Sequence, residues 1–273
     1  MIKYSVLMSV YKNDKGQYLE EAINSMVQQT VKPAEIILVE DGPLTTELYE
    51  VIDKFKNNYP EIFRAIPLEK NVGLGKALNI GLEYCRYDLV ARMDSDDISV
   101  GNRIETQLAY FEKNQSLDII GGDIEEFITS PNHTVSQRRV PCGDKEIKEY
   151  MKIRCPFNHM SVMFKKRAVI NSGNYQHWHY NEDYYLWIRM MEHGCVMANT
   201  GTVLVKVRVG KEMYSRRGGD QYFQSEKGLQ DYMLRRNIIS IPVYLKNVAL
   251  RFVVQKLLTP SIRGYIFKKF ARS

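Results

Sequence analysis

Residues 36–43 read Ile-Ile-Leu-Val-Glu-Asp-Gly-Pro. The apolar run Ile36–Val39 ends in a turn signal and predicts a buried strand, followed at its carboxyl end by two carboxylates. Working outward, residues 4–10 form another apolar strand, and residues 18–29 carry apolar residues at helical spacing. Downstream, residues 44–58 predict a helix, 63–67 a short strand, 74–85 a helix and 88–92 a strand. Strands separated by helices of this length imply right-handed crossovers and a mainly parallel, doubly wound sheet, with ligands at the carboxyl ends of its strands.

After Gly101 the pattern changes. A helix to Asn114, a strand over residues 119–128 and a hairpin partner near residues 134–140 predict a more antiparallel second half that runs to Val209. The Arg216-Arg217-Gly218-Gly219 stretch predicts a flexible loop. The organisation expected is an α/β domain over residues 1–210, of which 1–100 form one half and 101–210 another, followed by a loop and a basic helical tail over 211–273.

With 273 residues, 44% hydrophobic and 26% charged, the chain has the composition of a globular protein large enough to bury a full core without disulfides. Cys85, Cys142, Cys155 and Cys195 are far apart and lack metal-finger spacing, which fits reduced thiols in the cytoplasm. No run is apolar enough to span a bilayer, and the first residues do not have a secretory layout. The net charge of +6 is unevenly placed: residues 206–273 hold 15 Lys and Arg against 4 Asp and Glu, a net +11, leaving −5 on the first 205. A helical projection of residues 243–258 does not separate into two faces, because Lys246, Arg251 and Lys256 point in different directions.

Four constellations could carry chemistry. In Asp94-Ser95-Asp96-Asp97, residues two apart on an extended segment project together, and such carboxylates suit a hard divalent cation shared with a phosphorylated ligand. The same residues would also serve as an N-cap and acidic first turn for the helix near Arg103. Glu40-Asp41-Gly42-Pro43 offers a carboxylate to a nucleobase imide, or is simply a turn. Asn71-Val72-Gly73-Leu74-Gly75-Lys76 opens a helix where backbone N–H groups and Lys76 could meet a phosphate, although it has neither P-loop nor dinucleotide spacing. Glu182-Asp183 starts the helical run 184–191 and offers either a general base or plain capping.

In this order along one chain, VLMSVYKND, VEDG, NVGLGKALN, RMDSDD and NEDYYLWIRM resemble the motifs of family 2 glycosyltransferases of the GT-A fold, over roughly residues 4–210. The nearest likeness is to bacterial capsule, exopolysaccharide and O-antigen enzymes. The resemblance implies that Asp41 contacts the base with Ser9 and Tyr11 beside it, and that Asn71 and Lys76 belong to the nucleotide site. It implies that Asp94 faces ribose or metal, that Asp96 is the principal ligand of Mn²⁺ or Mg²⁺, and that Asp183 deprotonates the acceptor hydroxyl for inverting displacement. Glu182, His159, Arg208, Arg216 and Arg217 correspond more loosely to acceptor or lid positions. The absence of the tryptophan-rich signature of processive polymerases implies transfer of a single sugar.

The donor implied is a nucleotide sugar, a UDP-sugar first and a dTDP-sugar second, and the acceptor a glycan or polyprenyl-linked saccharide. A nucleotidyltransferase would need a glycine-rich loop after the first strand, and a haloacid-dehalogenase phosphatase would need its aspartates there; neither is present. A non-catalytic nucleotide-sugar-binding protein is the remaining alternative. The basic tail suits the inner leaflet of the cytoplasmic membrane or a homo-oligomer contact, and the acidic body argues against nucleic acid.

Overall fold

The computed structural model describes residues 2–210 and 219–258; Arg216, Arg217 and the last fifteen residues of the tail lie outside them. The first half alternates β1 (Tyr4–Val10), α1 (Gly16–Val27), β2 (Glu35–Glu40), α2 (Thr46–Asn58), β3 (Phe63–Pro67), α3 (Leu74–Tyr84) and β4 (Leu89–Arg92). All of these follow the sequence pattern to within two residues at each end. The three pairings β1–β2, β2–β3 and β1–β4 are parallel. Strand order 3-2-1-4 reverses direction at β1, so the loops leaving β1 and β4 flank a topological switch point, where parallel sheets open a ligand crevice.

The second half contains β5 (Ile98–Ser99), α4 (Arg103–Lys113), β6 (Leu117–Phe127), β7 (Thr134–Arg138), α5 (Asp144–Met151), β8 (Met163–Lys165), α6 (Lys166–Asn171), α7 (Glu182–Glu192) and β9 (Val196–Arg208). Four of its pairings, β4–β8, β6–β8, β6–β7 and β5–β9, are antiparallel as expected. The long β6–β9 pair is parallel, joining segments some eighty residues apart. Strand β5 corrects the capping alternative for Asp94–Asp97: it separates them from α4, which starts after Asn102 instead.

Side-chain alternation on the central strands divides the interior between the two faces of the sheet. Val6 and Met8 of β1 with Ile36 and Leu38 of β2 meet α1 and α2 on one face. Leu7 and Ile37 meet α3, α7 and the next helix, α8 (Asp220–Arg235), on the other, where Trp187 is fully buried. Helix α3 crosses closely because Gly81 has no Cβ; one built there would stand 2.6 Å from side-chain atoms of Leu7 and Val39.

The last described helix, α9 (Ile241–Phe252), starts with Pro242 in its first turn and continues as a wider turn over Val253–Leu257. Contrary to the sequence projection, this segment does have two faces, but with inverted polarity. Asn247, Arg251 and Gln255, four apart, are buried, whereas Ile241, Leu245, Leu250, Phe252, Val253 and Leu257 are exposed. Partners elsewhere in the fold decide this. Asn247 donates to the Lys152 carbonyl and to Gln230, and Arg251 pairs with Glu226 at 2.7 Å and donates to the Ile153 carbonyl.

Candidate active site

The loops after β1 and β4 meet at the switch point. Ser95 Oγ donates to Asp14 Oδ2 at 2.8 Å, and the Tyr11 N–H donates to the same oxygen at 3.1 Å. The extended backbone after β4 brings oxygens of Asp94, Asp96 and Asp97 within 4.8 Å of one another. Packing does not spread them apart: Asp97 is buried, and its Oδ1 accepts the Arg208 N–H at 2.9 Å.

The electrostatics of this cluster are unfavourable as it stands. Desolvation by the surrounding protein, then the charges of Asp94 and Asp14, push the Asp96 carboxyl up to about 7. Burial, then the charges of Asp96 and Asp94, raise Asp97 well above the carboxylate range. Beneath them lies Arg92, fully buried and ion-paired with Asp94, whose Nε and Nη1 have no partner among the described residues. Three clustered carboxylates, Asp96 and Asp97 among them with raised proton affinity, are a donor set suited to a hard divalent cation, whose charge would relieve the repulsion.

A cavity of about 660 Å³ opens beside the cluster, with Asp94, Asp96, Asp97 and Asp183 all in its wall. Asp183 is delivered by the first turn of α7, where the helix N-terminus favours an anion. Burial nevertheless raises its carboxyl above the ordinary range, opposed by the Tyr184 N–H and by the charges of Arg92 and Arg138. Cys155 Sγ approaches Asp183 Oδ2 at 3.8 Å. Glu182 is raised to about 7, first by burial and then by Asp183. It does not line the cavity; it packs on α3, where a Cβ at Gly75 would stand 3.2 Å from its own Cβ.

The other expected residues fall into two groups. Asp41 sits at the end of β2 as the clamp of the 71–73 loop: Oδ1 accepts the Val72 N–H at 2.7 Å, and Oδ2 accepts Asn71 Nδ2 at 3.0 Å and the Gly73 N–H at 3.1 Å. Oδ1 retains a lone pair for a further donor. Gly42, at φ +86, lets the turn lie against that loop, since a Cβ there would stand 2.5 Å from Asn71 N. Ser9 is half-buried on β1, and Tyr11 and Lys76 are exposed at the same edge, none of them in the cavity wall.

His159 and Arg208 do line the cavity. His159 is held neutral by burial and by Arg92, and its Nε2 is 2.9 Å from Tyr175 Oη. Arg208 is a brace: it pairs with Glu21 at 2.5 Å, donates to the Asp96 carbonyl at 3.2 Å and stacks on Tyr18. Two site residues escaped the sequence reading. Asp14 follows β1 at the same sheet edge, and Arg92 lies two before Asp94, the spacing that already grouped Asp94 with Asp96.

A sheet with this switch point, an aspartate cluster on the β4 loop and a further carboxylate lining the same cavity define a nucleotide-sugar transferase of GT-A architecture. Residues 5–172 match glycosyl transferase family 2, and the chain belongs to that family. It is 42% identical over 270 residues to the Escherichia coli UDP-Gal:alpha-D-GlcNAc-diphosphoundecaprenol beta-1,3-galactosyltransferase, covering 99% of this chain and 97% of that protein. It is also 42% identical to the amylovoran biosynthesis glycosyltransferase AmsE of Erwinia amylovora, over 85% of each chain. Solved structures share the fold: S. aureus TarS 1-349 in complex with UDP has a TM-score of 0.62 at 15% identity, covering 97% of this chain and 78% of that one. A Pyrobaculum calidifontis mannosyltransferase in complex with GDP-Man and Mn²⁺ has a TM-score of 0.66 at 12% identity, covering 98% and 75%.

Proposed function

We propose that this glycosyltransferase moves one hexosyl residue, galactosyl first, from a UDP-sugar to a hydroxyl of a sugar carried on a polyprenyl diphosphate, with inversion and with a divalent cation. The observation that carries the reading is one cavity lined by Asp94, Asp96, Asp97 and Asp183 together. The full-length likeness to the E. coli enzyme supports the choice of donor and acceptor.

In this reading Asp96 and Asp94 hold Mn²⁺ or Mg²⁺, and Asp97 anchors their loop to β9. When bound, the cation supplies charge stabilisation for the leaving diphosphate. Asp41 and Asn71 receive the uracil with Ser9 and Tyr11 beside them, and Lys76 faces the phosphates from the start of α3. Asp183 accepts the proton of the attacking hydroxyl as that oxygen bonds to the anomeric carbon and the bond to UDP breaks. Its raised proton affinity suits a base, provided the hydroxyl is held within hydrogen-bond reach. His159, neutral, and Glu182 support the acceptor side, and Arg208 keeps the aspartate loop in place.

The exposed apolar face of α9 and the tail's basic charge support docking at the inner leaflet of the cytoplasmic membrane, where such an acceptor resides. Among the described residues no helix is long and apolar enough to cross a membrane. The reading is tested by incubating the protein with UDP-Gal, UDP-GlcNAc or dTDP-hexoses, Mn²⁺ and GlcNAc-α-diphosphate-undecyl, and assigning the product by NMR. A β-linked product formed only with metal is expected. An α-linked product, or nucleotide binding without transfer to any acceptor, would overturn it.

A further inference from the structure

The far side of the cavity carries a feature that the transfer chemistry does not use. Residues 153–157 run along its wall and are held from two directions. Arg251 of α9 donates to the Ile153 carbonyl at 2.7 Å, and Arg138 of β7 donates to the Cys155 carbonyl at 2.6 Å. The segment is thus fixed beside Asp183, which Cys155 touches. Four arginines line the cavity, and Arg138, Arg208 and Arg251 all have their guanidinium groups engaged with the protein. Arg154, half-buried, makes no side-chain hydrogen bond or ion pair among the described residues. Ile153, next to it in the chain, and Leu250 also line the cavity yet are 53% and 56% exposed, so the wall includes a carboxylate, a cation without a described partner and an apolar rim. That rim continues onto the exposed Val253 and Leu257.

This combination matches a ligand built as sugar, phosphate, lipid. We propose that Arg154 binds the phosphate next to the acceptor sugar, and that Ile153 and Leu250 receive the first carbons of the lipid. A guanidinium suits this task because it offers a fixed fork of donors to phosphate oxygens. The inference rests on the acceptor class proposed above.

The test titrates the full chain with Mn²⁺ and four probes: UDP, undecyl diphosphate, GlcNAc-α-diphosphate-undecyl and undecyl GlcNAc without phosphate. Wild type is expected to prefer the two diphosphate lipids over the phosphate-free glycoside by about tenfold or more, as one charge-assisted hydrogen-bonded contact provides. Arg154→Gln should erase that preference, Arg154→Lys should keep part of it, and UDP affinity should not change in either. In turnover, Arg154→Gln should raise KM for the diphosphate acceptor and spare the phosphate-free one. No diphosphate preference in wild type, unchanged lipid binding in Arg154→Gln, or an equal loss of UDP affinity would overturn the proposal, the last by making Arg154 a donor contact. The two readings fail separately. Arg154-dependent lipid binding without sugar transfer would remove the acceptor sugar and keep Arg154, whereas equal transfer to both glycosides would keep the transferase and remove Arg154.

Discussion

Asp94, Asp96 and Asp97 repel one another in a partly desolvated corner, and this has a consequence for stability that runs opposite to the usual carboxylate. The folded-state proton affinities of Asp96 and Asp97 are raised, so between the ordinary aspartate pKa and about 7 for Asp96 the folded protein binds more protons than the unfolded one. Stability should therefore fall as pH rises through that window in metal-free protein. Thermal melts from about pH 5 to pH 7.5 are expected to show a declining Tm, with Mn²⁺ restoring more at the upper end, since a ligand that binds only the folded state stabilises it by mass action. Asp96→Asn should lose most of the Mn²⁺ effect and bind UDP more weakly, as followed by titration calorimetry. The base obeys the complementary rule. As the proposed base, Asp183 would work only when ionised, so kcat should fall on acidification at a pH above the usual aspartate range, because burial has raised its carboxyl. Asp183 and the aspartate triplet were legible as residues. Arg92 was not, because nothing local says that this strand-end cation is fully enclosed beneath them.

The parallel half was legible as elements because each strand and helix carries its own period, and bounds read from the sequence differ from the observed ones by only a residue or two. Two features were hidden for a physical reason: partners distant in sequence decide them. Strand β5 is two residues long and exists only because β9 pairs with it. Helix α9 buries a polar stripe because Gln230, Glu226 and the carbonyls of Lys152 and Ile153 satisfy it, which no hydropathy projection contains. Close packing at the element scale gives a sharp expectation at Gly81. An added methyl would meet the fully buried Leu7 and Val39 at 2.6 Å, so Gly81→Ala should destabilise by about 1–3 kcal/mol in urea melts despite alanine's better helix propensity.

Across the whole molecule, charge and shape place the two ends of the reaction in different surroundings. The acidic first 205 residues carry the aspartate cluster and the edge proposed for the nucleotide, while the net +11 lies on residues 206–273, which include Leu250 of the cavity's apolar rim. Anionic lipid attracts each basic residue near its surface with about 1 kcal/mol, and the exposed Leu245 and Leu257 add apolar contact. The protein is expected to float with vesicles containing phosphatidylglycerol at low salt and to be released as salt rises; a Leu245→Glu, Leu257→Glu variant should remain in the soluble fraction. Equal flotation of the variant and wild type would remove the α9 face from the docking surface. The charge partition was legible in the sequence, the outward apolar face only in the fold. The central claim, that Asp183 is the base facing a donor held by the aspartate cluster, is tested most directly by Asp183→Asn, with UDP affinity in Mn²⁺ and kcat measured on the same preparation. The account predicts unchanged UDP affinity and a kcat lower by about 10²–10⁴. Retained turnover would contradict it.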